Sequence, residues 1–172
     1  MAQQDAYYGQ IMEDYKYQKL LRLENKPIIG YLYGKFREIE DDGIRVEMEI
    51  MTHSMNYAIP GHILVEMLGI LLDNAVEALK ETEYTQSVYV AISDSREEYC
   101  YTVGNEYQYV PYSELEKWFE LGQSRNGKWR GIGLYHLRTL CNEWNCEVAY
   151  KNQMAEGENR IEFCLKIPKT GG

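Results

Sequence analysis

ILVEMLGILLDNAVEAL, residues 63–79, is the stretch whose reading decides the fold. Wound at 100° per residue and continued to Glu81, it gathers Glu66, Asp73, Asn74, Glu77, Lys80 and Glu81 into an arc of roughly 120°. The rest of the circumference is apolar. Asn74 lies at the edge of that arc, one turn from Ile70 and Ala78, where the polar stripe meets the core. Two readings stay open on periodicity alone. One is an amphipathic helix with a solvated acidic face. In the other, the rim carries a magnesium–phosphate site, where the neutral amide oxygen of Asn74 ligates a hard cation without adding a charge beside the phosphates.

Working outward, Pro60 and Gly61 precede this helix, which is predicted over about His62 to Lys80. Upstream, Ile44, Val46, Met48 and Ile50 alternate with Arg45, Glu47 and Glu49 after the Asp42-Gly43 turn, which predicts a half-buried strand. From Asp5 to about Glu40 the apolar residues recur at helical spacing, and Pro27 either interrupts that helix or starts a second one after Asn25. Downstream, strands are predicted at Ser87–Ser93 and Glu98–Val103, joined at Asp94-Ser95. A short helix at Tyr112–Glu120 follows, then a polar loop at Gly122–Arg130 and a helix from Gly131 or Ile132 to Trp144. Strands at Glu147–Lys151 and Ile161–Ile167 close the chain. Strands that follow one another through short turns predict an α/β two-layer sandwich, a mixed sheet with helices packed on one face. The regular alternation of a doubly wound dinucleotide fold is missing.

Composition sets the outer bounds. The 172 residues suffice for one domain with a sizeable core. With 45% hydrophobic and 26% charged residues the chain reads as globular. A net charge of -9 argues against a nucleic-acid backbone as partner, since that needs clustered Lys and Arg. No apolar run is long enough to span a bilayer, and the polar, tyrosine-rich start is no signal peptide. Cys100, Cys141, Cys146 and Cys164 show no zinc-ligand spacing and are read as reduced, mostly buried residues of a cytoplasmic domain.

The second chemical signal is GQSRNGKWRGIGLYHLRTL, residues 122–140. Arg125, Lys128 and Arg130 precede Gly131 and Gly133 at the start of a helix. Helix N-termini offer unpaired N–H groups and partial positive charge to phosphate, and glycines let the backbone approach it. By itself the pattern is equally a tight turn. It has no Gly-Lys-Ser/Thr of the Walker loop and no third glycine of the dinucleotide fingerprint.

Taken in order, LLDNAVEAL (71–79), VGNEY (103–107) and RGIGLYHL (130–137) resemble the N, G1 and G2 boxes of the GHKL family of gyrase, Hsp90, histidine kinases and MutL. The resemblance runs from about Pro27 to Pro168. Leu71 to Ala78 and Arg130 to Tyr135 look most like the Agr-type sensor kinases of peptide-pheromone quorum sensing. These commonly place Asn, here Asn105, where other members carry an adenine-reading Asp.

The resemblance implies a Bergerat-type sandwich that binds ATP and Mg2+. Asn74 would ligate the metal, and Asn105 would accept from the adenine amino group. Gly131 and Gly133 would meet the phosphates, and a lid would run from about Glu106 to Arg130. Lys128 and Arg130, with Arg125, are inferred phosphate contacts from their charge and place. Within the lid, Gly122–Arg130 has little apolar surface to pack and is expected to order on nucleotide.

Ile70 stands where hydrolytic relatives carry the water-activating Glu. That disfavours a simple ATPase, and equally an anti-sigma type serine kinase. The reading that follows is a histidine kinase catalytic domain, the alternative being a non-catalytic nucleotide-binding module. None of His53, His62 and His136 falls in the N-terminal helical region, so the acceptor histidine is expected on a dimerisation hairpin outside this chain. Residues 1–26 are then a helical linker, the tail of that hairpin, and residues 27–172 the catalytic domain. A response regulator would be the downstream partner, and the parent would be anchored in the cell membrane with this domain in the cytoplasm.

Overall fold

Asn25 sets the first firm boundary. Its side chain accepts a hydrogen bond from the N–H of Ile28 at 3.1 Å and caps α2 (Lys26–Asp41). Pro27 sits in the first turn, where a missing N–H leaves no helical bond unmade. The break at Pro27 is thus a new helix and not a kink. The computed structural model describes residues 2–53, 58–80, 82–122 and 132–170.

Ahead of α2 come α1 (Ala2–Glu13) and a 3-10 segment, Tyr15–Leu23. Ile11, Tyr17, Leu20 and Leu23 are fully buried and join the same core as Ile28, Leu32 and Phe36 of α2. Tyr7 lies over Gly30 and Gly34, its ring 3.7–3.8 Å from where their Cβ atoms would stand. The described part of residues 1–26 therefore packs on α2 and on the first strand.

The five-stranded sheet has the order β1-β2-β3-β5-β4, with β1 (Arg45–Ile50), β2 (Ser87–Asp94), β3 (Glu98–Glu106), β4 (Glu147–Ala155) and β5 (Glu158–Pro168). β1 runs parallel to β2, as a connection through the long helix α3 (Gly61–Lys80) requires, and the other pairings are antiparallel. This is the mixed sheet that the alternation predicts. The inward rows are Val46, Met48, Ile50; Val88, Val90, Ile92; Tyr99, Tyr101, Val103; and Ile161, Phe163, Leu165, Ile167, all buried. Helices α2, α3 and α5 (Ile132–Glu143) cover that one face.

The last hairpin is longer than its apolar pattern indicates. Glu156 (φ 51°) and Gly157 (φ 85°) both take left-handed backbone, a two-residue turn that matches strand twist and lets β4 and β5 pair up to Ala155 and Glu158. Asn152, Gln153, Asn159 and Arg160 hide this in the sequence because they break the alternation.

On the uncovered face, Glu162 is only 5% exposed. Arg160 donates to it from Nε at 2.8 Å and lies 3.8 Å from the Tyr89 ring centroid. The same face corrects the reading of the cysteines as four separate thiols. Cys100 and Cys164 stand diagonally on neighbouring strands, Cα atoms 6.1 Å apart, and are joined as a disulfide. Their separation of 64 residues conceals a pairing that only strand register creates. Cys141 stays a free thiol, pushed up to about 12 by burial, and Cys146 is free as well.

Candidate functional site

α3 obeys its hydrophobic pattern. Leu64, Met67, Leu68, Leu71, Leu72, Ala75, Val76 and Leu79 are buried, while Glu66, Asp73, Glu77 and Lys80 are exposed. Asn74 is half-buried between the two sets, as its place at the rim predicts. Glu81 lies outside the described residues.

Two helices grip α3 from either side. From α2, the Tyr31 hydroxyl lies 3.0 Å from the Cβ position of Gly69, so a side chain there would hold α2 away. Lys35 adds an ion pair to Asp73 at 2.8 Å. Burial alone would lower the Lys35 pKa, but hydrogen bonds to Asp73 and Glu38 outweigh it and leave it raised. From α5, His136 pairs with Glu66 at 2.7 Å, and the Cβ position of Gly133 is 3.5 Å from Cγ2 of Ile70. Ile70 and Asn74 are one turn apart and share a side of the helix. The edge of α3 that carries Asn74 is thus the edge that meets the start of α5.

Asn105 enters from the sheet. It is 4% exposed and sits at the end of β3 on the helix-covered face, in a row that crosses Val88, Asn105, Ile161 and Asn152. Its Nδ2 donates to the Glu106 carbonyl at 2.9 Å. With a donor engaged in this way, the amide oxygen is the atom suited to accept from a ligand amino group. Gly104 beside it is sterically required. A Cβ there would come within 2.9 Å of both the Ile161 carbonyl and Cγ of Glu162.

Of the six predicted site residues, the structure places Asn74, Asn105 and Gly133. Lys128, Arg130 and Gly131, like Arg125, lie outside the described residues. The lid expected from about Glu106 to Arg130 is, over its described part, held to the sheet. Tyr107 N–H donates to the Asn159 carbonyl at 3.0 Å, and α4 (Tyr112–Lys117) follows. Leu115 and Phe119 are buried, Phe119 stacking on Tyr150 at 5.2 Å and meeting Phe163 at 5.8 Å. Arg138 of α5 adds a 2.8 Å ion pair to Glu116.

Sequence reasoning missed Asn152 and Asn159. Asn152 accepts from Val110 N–H at 3.1 Å and donates to the Val110 carbonyl at 2.7 Å. Asn159 donates to the Tyr107 carbonyl and to Oδ1 of Asn152, both at 3.0 Å. Asparagine is depleted in strands, so two of them on the covered face of a hairpin were the available signal. Four of the sixteen tyrosines also find a place here. Tyr84, Tyr107, Trp118, Phe163, Phe119, Tyr150 and Tyr112 form one continuous string of ring contacts.

Among the described residues no three His, Cys, Asp or Glu side chains group as a metal cage, and no helix is long and apolar enough to cross a membrane.

Comparison with known proteins places this arrangement. Residues 62–167 match the family described as GHKL domain. Sensor protein CitS of Bacillus subtilis (strain 168) is 28% identical over 151 residues, which are 86% of this chain and 27% of that protein. A probable C4-dicarboxylate sensor kinase of Halalkalibacterium halodurans is 22% identical over 174 residues, 99% of this chain and 31% of the relative. The chain thus spans about a quarter to a third of the length of these curated relatives.

Among solved structures, the nucleotide-free catalytic domain of histidine kinase ThkA superposes with a TM-score of 0.63 at 20% identity, over 82% of this chain and 95% of that one. Full-length ShkA in complex with AMPPNP gives 0.62 at 16% identity, over 81% of this chain and 30% of that one. At such identities the likeness is one of fold.

Proposed function

This chain belongs to the GHKL domain family, and from that premise we propose that it is the ATP-binding catalytic domain of a two-component sensor histidine kinase. It donates the γ-phosphate of ATP to a histidine on a dimerisation hairpin supplied by another segment of the parent. The observation that carries the reading is the shared edge of α3 and α5, where Asn74 lies one turn from the Ile70–Gly133 contact. A nucleotide seated there meets an amide oxygen, a glycine at a helix start and, from β3, the buried Asn105 amide.

The donor set fits Mg2+ held chiefly by the nucleotide. This ion keeps waters and phosphate oxygens as ligands and needs only one or two protein oxygens. Asn74 would supply one, without the repulsion that a carboxylate would bring to a triphosphate. When bound, the ion offsets charge on the phosphate oxygens. The protein's own part is positioning: Asn105 reads the adenine, Gly133 admits phosphate to the backbone, and Lys128, Arg130 and Gly131 complete the phosphate contacts.

Ile70 carries no ionisable group, and its Cγ2 lies 3.5 Å from where a Gly133 Cβ would stand, so nothing at that position activates water. The site is therefore built to hold ATP until a nucleophile arrives, since phosphoryl transfer is mainly a matter of alignment and electrostatics.

The parent kinase would be membrane-anchored and would pass phosphate to a response regulator. The motif reading points to the peptide-pheromone subgroup, whereas the named relatives are CitS and a C4-dicarboxylate sensor kinase. The signal is decided by the parent's sensor region and not by these residues.

Calorimetry tests the site. The chain should bind ATP with Mg2+ and much more weakly without it. Asn74→Ala should lower Mg-ATP affinity on the order of a hundredfold, about 2.8 kcal/mol, with unchanged thermal unfolding. A folded Asn74→Ala chain that binds Mg-ATP as the parent sequence does would remove Asn74 from the site.

A further inference from the structure

The peptide that orients Asn105 is itself held from the far hairpin. Nδ2 of Asn105 donates to the carbonyl of the Glu106–Tyr107 peptide, so the direction of the Asn105 amide depends on where that peptide lies. The N–H of the same peptide, on Tyr107, donates to the Asn159 carbonyl at 3.0 Å. The next carbonyl, on Tyr107, accepts from the Asn159 side chain, also at 3.0 Å. Asn159 is held in turn by Oδ1 of Asn152.

Asn152 then clasps Val110 through both its N–H and its carbonyl, at 3.1 and 2.7 Å, much as a neighbouring strand would. A single side chain thus replaces a rung of sheet for a segment that has already left the sheet. On the other side, the Thr85 N–H donates to the Glu106 carboxylate at 2.8 Å.

We propose that Asn152 is the positioning residue of the adenine site. By clasping Val110 and holding Asn159, it fixes the Tyr107–Val110 segment and so aims the Asn105 amide oxygen. This rests on the reading of Asn105 as the adenine contact.

Four hydrogen bonds between the two asparagines and one short stretch would serve stability anywhere, so the test needs a readout that stability alone does not move. Discrimination between purines is that readout. GTP presents a carbonyl where ATP presents an amino donor, and an amide oxygen aimed by Asn152 helps only ATP.

The experiment is calorimetry of Mg-ATP and Mg-GTP on this chain, on Asn152→Ala and on the isosteric Asn152→Asp. The latter keeps the acceptor for Val110 N–H but sets a carboxylate against the Val110 carbonyl, and its size favours a folded product if the alanine variant does not fold. Both variants should lose about tenfold in ATP affinity, leave GTP binding unchanged, and exchange the amides of residues 107–111 faster. Equal losses for ATP and GTP would make Asn152 a structural residue only and overturn the proposal. So would unchanged ATP affinity despite faster exchange at 107–111. If the unsubstituted chain does not bind Mg-ATP, the ATP-site reading itself fails, and this inference with it.

Discussion

Gly104 and Gly133 stand in the two glycine-bearing motifs, at the end of β3 and the start of α5, and they are glycines for opposite reasons. At Gly104 a methyl group would strike the Ile161 backbone and the Glu162 side chain at 2.9 Å. The protein itself forbids a larger residue. At Gly133 the nearest described atom to a methyl group is Cγ2 of Ile70 at 3.5 Å, an ordinary contact. Among the described residues there is room for a side chain there, and on the proposed reading glycine serves a ligand that approaches the backbone. One glycine lets the sheet close around Asn105, and the other leaves space beside Asn74. The contrast separates a residue that builds the site from one that serves what enters it.

The sharpest way to break that comparison begins between the two, at Asn105. Leu is of similar size but cannot accept from an adenine amino group, so Asn105→Leu should weaken Mg-ATP by about 1–3 kcal/mol and erase preference over GTP. Retained preference in a binding titration would move adenine recognition to another residue. Next, Gly104→Ala should destabilise the fold by about 2 kcal/mol, read as a lowered denaturant midpoint, because backbone and a buried charged side chain must both give way. A midpoint equal to that of the parent sequence would mean that the strands separate more readily than their packing implies.

Gly133→Ala should do the reverse. Its helical position gains up to about 1 kcal/mol from alanine, while Mg-ATP affinity falls. Loss of both stability and binding would return Gly133 to the structural class. The smallest effect belongs to the exposed Glu66–His136 pair that ties α3 to α5. Glu66→Gln should change stability by about 0.5 kcal/mol or less, and a thermal shift of several degrees would show that the junction of the two helices depends on it.

How much of this was readable beforehand follows from the range of each signal. The α3 periodicity exposed its buried face, its acidic arc and the rim position of Asn74, because helical contacts repeat every three or four residues and leave a local imprint. Alternation in β1 and β5 did the same for the covered face of the sheet. Features made by register left no such imprint. The Cys100–Cys164 link, the Gly104 contact with Ile161 and the clasp of Val110 by Asn152 join residues 42 to 64 positions apart. In sequence they are two cysteines, one glycine and one asparagine in a strand that reads as too short. The lid shows the same limit. The family resemblance implied a lid from about Glu106 to Arg130, whereas Leu115, Phe119 and two asparagines hold the first part of that stretch to the sheet.

Phosphoryl transfer is the most direct test of the whole account. The chain would be incubated with Mg2+ and ATP labelled at the γ-phosphate, alone and with the purified acceptor hairpin of the proposed parent kinase. His53 lies beyond the end of β1, His62 in the first turn of α3 and His136 in α5, so none stands in the N-terminal helical region where an acceptor is expected. The account predicts no stable label on the chain alone, little free phosphate, and acid-labile label on the hairpin when it is added. Tight ATP binding with no transfer to the hairpin would contradict it and make this domain a nucleotide-binding module without kinase chemistry.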